Sequence, residues 1–230
     1  MSAPVSYTVL ENAIGVLFRD KELLLQALVH RSAARESRAH GNNERLEFLG
    51  DAVLELVTTE YLFRISTKPE GELTNWRSAL VQGSHLADVA RELKLGEYLF
   101  MSRGEEASDG RNKQSTLANA LEALIGAIYL DRGFEVAQEF CLEFILQDLT
   151  KLLAAGKDKD EKSMFQEIVQ DKVGVTPHYE VIEEDGPDHD KHFTSAVFIG
   201  EEKVAQGTGN SKQRAEQAAA KEALIVKGWK

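Results

Sequence analysis

A chain of 230 residues, 43% hydrophobic and 28% charged, can bury a sizeable core without disulfides or a structural metal, as one large domain or as one medium and one small. Its net charge of −11 argues against broad nucleic-acid binding, which sets Lys and Arg against phosphate, and confines any such contact to a local patch. The single cysteine, Cys141, excludes an internal disulfide and, between Phe140 and Leu142, reads as a small buried hydrophobe in a chain suited to a reducing compartment.

Residues 7–155 follow a helical pattern almost throughout. Apolar residues recur at three- and four-residue spacing through 23–29, 46–61, 80–93, 117–130 and 134–153. Pro4 and Pro69 lie at segment edges. No apolar run is long enough to span a bilayer and the N-terminus lacks a signal-peptide pattern, so no membrane association is expected. Residues 154–161, small and charged without periodicity, mark a linker. Beyond it come an amphipathic helix at 163–173 and strands at 178–185 and 192–199, separated by Gly186-Pro187-Asp188. A third short strand at 202–206, a Gly207–Ser211 loop and an Ala- and Glu-rich helix at 212–226 complete the chain. The expected fold is an all-α domain at 1–154, a linker at 155–161, and a small α+β domain of order α-β-β-β-α at 162–230.

The segment Asn43-Glu44-Arg45-Leu46-Glu47-Phe48-Leu49-Gly50-Asp51 is the most informative. On a helix Glu44, Glu47 and Asp51 share an arc of roughly 60°, opposite Leu46, Leu49, Val53 and Leu56 as a core face. Acids at i, i+3 and i+7 repel and gain no pairing. A solvated acidic face is one reading. Against it, Phe48 and Leu54 border the stripe with apolar surface, and Gly50 costs the helix roughly 1 kcal/mol relative to Ala. A hard divalent cation would favour such residues, because oxygen ligands suit Mg²⁺ or Mn²⁺ and the metal relieves the repulsion. In the second acidic segment, 117–126, Asn119 and Glu122 share a face with Gly126, opposite Leu117, Leu121, Leu124 and Ile128. A glycine there admits another helix at close range. Two helices crossing at it would pool Glu44, Glu47 and Asp51 with Asn119 and Glu122.

These segments resemble ribonuclease III: residues 43–54 match its signature nearly residue for residue, Ala27-Leu28-Val29-His30-Arg31-Ser32 resembles its early helix end, and Glu70-Gly71-Glu72-Leu73-Thr74 and 117–131 are similar to further family segments. Residues 163–226 resemble the double-stranded RNA-binding domain of bacterial members. The resemblance implies a cytoplasmic endoribonuclease that hydrolyses double-stranded RNA with Mg²⁺, or Mn²⁺ as a substitute, leaving 5′-phosphate and 3′-hydroxyl ends with short 3′ overhangs. Implied substrates are ribosomal RNA precursors and other structured transcripts, with no small organic cofactor. It also implies a homodimer through the endonuclease domain, to which Phe48 and Leu54 are candidate contributors. Carried over by residue, Glu47, Asp51 and Glu122 are catalytic metal ligands, and Glu44 and Glu70 are supporting acids. Asn119 stands where the family normally has aspartate. It keeps a ligating carbonyl but loses a charge, so divalent affinity should weaken. Natural variation with activity retained, a weakened enzyme and an engineered change are all open, and the intact Glu47, Asp51 and Glu122 favour the first.

His30 and Ser32 read as structural hydrogen-bonding residues rather than base and nucleophile, since no triad partners accompany them. Lys113, just before the second acidic segment, is a candidate phosphate contact. In the second domain, backbone N–H groups of 207–211 and the following helix dipole are suited to face phosphate. Lys212 and Arg214, unfavourable cations for a first helical turn, fit the same role. The resemblance adds Gln166, Glu167 and His189 as minor-groove contacts to an RNA whose shape, more than sequence, is read. Two other readings compete. One is a non-catalytic RNA-binding dimer disabled by Asn119. The other is a helical-bundle carboxylate metal protein, disfavoured because no Glu-x-x-His pair occurs on the acidic helices.

Overall fold

The helical periodicity folds as α1 (Tyr7–Ile14), α2 (Lys21–Ala27), α3 (Glu44–Ile65), α4 (Glu70–Val81), α5 (Gly83–Glu92), α6 (Arg103–Ala107), α7 (Gln114–Arg132), α8 (Phe134–Phe144) and α9 (Leu149–Ala154). This is a computed structural model, and it describes residues 7–33, 41–154, 161–187 and 191–229. The chain divides into two units, residues 1–158 and 159–230.

Helix α7 is the centre of the first unit. Leu117, Leu121, Leu124, Ile125 and Ile128 are buried, and so are Ala118, Ala120, Ala123 and Ala127 between them. Small side chains on the remaining faces let α2, α3, α5 and α8 pack around one helix. Only Asn119 and Glu122 interrupt this apolar surface before Tyr129.

Two stretches of continuous periodicity are broken. The 80–93 segment turns a corner at Gln82 (φ −65°, ψ 140°), ending α4 and starting α5. The corner lets Leu80 and Leu86 bury in the same core from different helices. The 134–153 segment stops at Phe144, and the buried His85 Nε2 donates to the Ile145 carbonyl at 3.1 Å. A 3₁₀ turn, Leu146–Asp148, then leads into α9. Cys141 is buried in α8, and burial pushes its thiol up to about 12, leaving it protonated and inert.

The core face of α3 also differs from a simple 3.6-residue reading. Leu54 is 0% exposed and belongs to the intrachain core, so it is not available to a partner; Leu56, expected inside, is 57% exposed. The buried stripe runs through Leu46, Gly50, Val53, Leu54 and Val57, rotated toward α7 by the close approach at Gly50.

The second unit consists of α10 (Glu161–Val173), β1 (His178–Asp185), β2 (His192–Ile199), β3 (Glu202–Gly209) and α11 (Lys212–Val226). The strands form an antiparallel sheet in the order β1-β2-β3. Phe165 and Val169 of α10, Val197 of β2 and Ala219, Ala223 and Leu224 of α11 share its core. Strand β3 runs three residues beyond the expected end: Gly207 pairs with Ser195 and Gly209 with Phe193. Those glycines are not a loop. A Cβ at Gly207 would sit 2.2 Å from the Ala219 nitrogen, and one at Gly209 would sit 2.6 Å from that of Ala215. Glycine on the strand and alanine on the helix bring α11 against β3.

Candidate metal centre and RNA interface

Helices α3 and α7 cross at two glycines. A Cβ built on Gly50 would lie 1.7 Å from the Glu122 carbonyl oxygen, and one on Gly126 would lie 2.3 Å from that of Leu46. No side chain fits at either position, so the helix-propensity cost of Gly50 is offset by backbone contact. The crossing sets Glu47 and Asp51, a turn apart on α3, against Asn119 and Glu122 on α7.

The electrostatics report this proximity. Glu122 is pushed up to about 7, first by burial and then by the charges of Asp51 and Glu47. Glu47 is also raised, by burial first and by neighbouring Glu44, while a hydrogen bond donated by the Asn119 side chain opposes the rise. Asn119 therefore acts as a donor, a role an ionised aspartate could not fill. The acids are neighbours without converging on a point. Among the described residues, no three His, Cys, Asp or Glu side chains are gathered tightly enough to hold one metal ion.

Of the other expected acids, Glu44 adjoins this group, where its charge acts on Glu47, and Glu70 lies apart from it. Glu44 opens α3 at the surface and accepts from the Asn42 amide at 2.6 Å. Glu70 begins α4 and lines a different groove, with Phe63, Leu73 and Arg77. Phe48, next to Glu47, is 80% exposed.

Beside the acids lies a polar cavity of about 340 Å³, whose lining includes His30, Arg31, Glu47, Lys113, Thr116 and Asn119. His30 Nδ1 and Ser32 Oγ are hydrogen-bonded at 2.8 Å, and Ser32 Oγ accepts from the Ser102 amide at 3.0 Å. Both thus make structural bonds. Lys113 is paired with Glu105 at 2.7 Å. Sequence reasoning passes over Arg31 and Glu105. The family-like segment 27–32 is a signal for Arg31, but nothing in the sequence marks Glu105.

In the second unit, Gln166 and Glu167 are exposed on α10 and line a shallow groove with Gln170 and Asp171. Lys212 and Arg214 are exposed in the first turn of α11. Ser211 caps this helix by accepting from the Arg214 amide at 3.2 Å, and Lys212 Nζ stands 5.8 Å from the Phe193 ring centroid. Because Gly207 and Gly209 belong to β3, only Asn210 and Ser211 precede the helix, and the expected glycine loop facing phosphate is absent. His189 lies outside the described residues.

Comparison with known proteins matches both units. Residues 20–149 match the family described as Ribonuclease-III-like, and residues 161–226 match the double-stranded RNA binding motif. Ribonuclease 3 of Pelotomaculum thermopropionicum is 47% identical over 95% of this chain and 92% of its own length. Ribonuclease 3 of Borreliella afzelii is 45% identical over 94% and 88%. A solved nuclease domain of ribonuclease III from Campylobacter jejuni, described for structural flexibility in the region involved in its dimer formation, is 46% identical. It aligns with a TM-score of 0.57 over 60% of this chain and 95% of its own. Among the described residues, no helix is long and apolar enough to cross a membrane. A helical unit with acids pooled at a glycine crossing, followed by an α-β-β-β-α unit, thus belongs to the ribonuclease III family, metal-dependent endoribonucleases of double-stranded RNA.

Proposed function

We propose that the α3–α7 crossing is the catalytic centre, with Glu47, Asp51 and Glu122 as metal ligands and Asn119 as a further oxygen donor that steadies Glu47. The observation that supports this most is Glu122, a carboxyl held at about 7 between burial and two other acids. A dication offsets that frustration, and an all-oxygen donor set fits Mg²⁺, or Mn²⁺ in its place. When bound, the cation activates water at the phosphodiester and offsets charge on the departing oxygen.

The chain's own residues supply placement. Gly50 and Gly126 hold the two acidic faces together. No side-chain nucleophile is needed, since His30 and Ser32 are engaged with each other. Glu44 and Glu70 serve substrate handling and product release. Lys113 of the first unit and Lys212 and Arg214 of the second contact phosphate, while Gln166, Glu167 and His189 meet minor grooves. The functional domains are 1–154 and 162–230, joined by the linker 155–161.

The active form is a homodimer through the nuclease domain. Exposed Phe48 and the dimer formation described for the Campylobacter jejuni relative support this. Two centres then cut the two strands, giving 5′-phosphate and 3′-hydroxyl ends with short 3′ overhangs. Substrates are ribosomal RNA precursors and other structured transcripts in the cytoplasm. No small organic cofactor takes part.

The test is incubation with a long perfect RNA duplex, with and without magnesium, followed by sizing of the fragments and analysis of their ends. Cleavage that requires magnesium and disappears in Glu122→Gln is the expected result. An inert protein at saturating magnesium, or cleavage indifferent to chelator, would overturn the assignment.

A further inference from the structure

Charges of both signs line the cavity beside the acids. Arg31, Lys113, Glu44, Glu47 and Glu105 all line it. Lys113 Nζ is held by Glu105 at 2.7 Å and by Ser108 Oγ at 3.1 Å. Glu47 belongs to the acidic group and takes the Asn119 hydrogen bond. Glu44 turns to Asn42. Arg31 forms no ion pair among the described residues, although its charge is felt by both Glu47 and Glu105.

The backbone under Arg31 is fixed. The His30 amide donates to the Phe100 carbonyl at 2.9 Å, and the Ala33 amide donates to that of His30 at 2.9 Å. Ser32 is tied to His30 and to Ser102. Arg31 thus projects from a pinned 3₁₀ turn, Arg31–Ala33, with an exposed guanidinium. Ser115 and Thr116, which also line the cavity, belong to the first turn of α7, which receives no side-chain cap from Lys113. Its positive end therefore faces the same cavity. An exposed guanidinium with no ion pair among the described residues, in one cavity with a helix N-terminus, is suited to an oxyanion with several acceptors, and a planar fork suits phosphate better than a point charge does.

We propose that this cavity seats the RNA phosphate adjoining the one cleaved, in the same strand, with Arg31 bearing its charge. The proposal rests on the α3–α7 crossing being the catalytic centre, since that is what puts the cavity next to the cut. Arg31 is then a binding residue, distinct from the metal ligands, that fixes the register of the strand.

The test is the salt dependence of cleavage. kcat/KM for a perfect duplex is measured across potassium chloride concentrations at fixed magnesium, for the unaltered protein, Arg31→Gln and Arg31→Lys. Removing one cation from a phosphate makes the slope of log(kcat/KM) against log salt shallower by roughly 0.9. In Arg31→Gln we expect that change, with kcat/KM severalfold lower and kcat at saturating RNA much less affected. Arg31→Lys should recover most of the slope. A structural role would lower the folded fraction without moving the slope. An unchanged slope in Arg31→Gln, in a protein that cleaves, would overturn this proposal alone. Failure of the unaltered protein to cleave at all would overturn the catalytic assignment with it.

Discussion

Gly50 and Gly126 meet backbone to backbone: a Cβ on Gly50 would lie 2.9 Å from the Gly126 nitrogen, and one on Gly126 would lie 3.1 Å from the Gly50 nitrogen. The contact fixes how far apart the acids of α3 and α7 can be. Gly50→Ala should therefore be destabilising, by about 1–3 kcal/mol for overpacking, despite a gain of roughly 1 kcal/mol in helix propensity. Urea unfolding measures the first effect. Cleavage should fall further than stability, because separating the helices separates Glu47 and Asp51 from Glu122. A fully active, equally stable Gly50→Ala protein would contradict the crossing.

The raised carboxyl of Glu122 makes metal-free stability depend on pH. Its folded value is about 7, against about 4.3 for an unperturbed glutamate. Between those values the folded state holds a proton that the unfolded state has released. The contribution is present in full at low pH and is lost as pH rises through about 7. In chelator, Tm should fall between pH 5 and pH 8, relative to a Glu122→Gln protein whose profile is flatter across that window. Divalent cation should restore the loss at pH 8. Identical profiles for the two proteins would sink the idea.

Asn119 lowers the negative charge of the group and donates to Glu47. Asn119→Asp adds an anion and removes that donor. Divalent affinity, followed by titration calorimetry with Mn²⁺, should rise severalfold, while metal-free Tm at neutral pH should drop through added repulsion. Weaker Mn²⁺ binding in the variant would show that the donated hydrogen bond outweighs the charge.

Phe48 is 80% exposed one residue from Glu47. If two copies pair through this surface, each buried ring contributes about 1.5–3 kcal/mol. Phe48→Ala should shift sedimentation toward monomer at micromolar concentration without lowering monomer stability. An unchanged association constant would remove Phe48 from the interface.

On the second unit, Lys212→Ala and Arg214→Ala should each weaken duplex binding across sequences alike and reduce the salt slope by roughly 0.9 for each phosphate left without its cation. Fluorescence anisotropy of labelled RNA duplexes measures both. Loss of preference for one sequence over another would indicate base reading instead.

Much of this architecture is legible in the sequence for identifiable reasons. The β1 and β2 bounds follow from β-branched and aromatic runs flanking Gly186-Pro187, and the α3 acids from their spacing. Leu54 and Leu56 are not assignable in this way, because an ideal helical wheel cannot tell which flank of a stripe a neighbouring helix covers. The breaks at Gln82 and Ile145 depend on tertiary contact, the second on the His85 bond to a distant carbonyl. Gly207 and Gly209 mimic a loop in composition, and only the approach of α11 reveals their strand conformation. Arg31 lies in a family-like segment, but its cavity forms only where residues remote in sequence meet, and Glu70, in another such segment, lies away from the other acids.

The alanine and glycine seam between α11 and β3 has a further consequence. Where backbones already touch, there is no side chain left to shrink, slide or change rotamer, so the helix has little freedom to adjust against its sheet. The backbone at Lys212 and Arg214 therefore holds a nearly constant spacing from the strands, like the spine of a rigid comb. If these two side chains contact phosphate as proposed, a duplex whose phosphates fall at another spacing has to deform to fit.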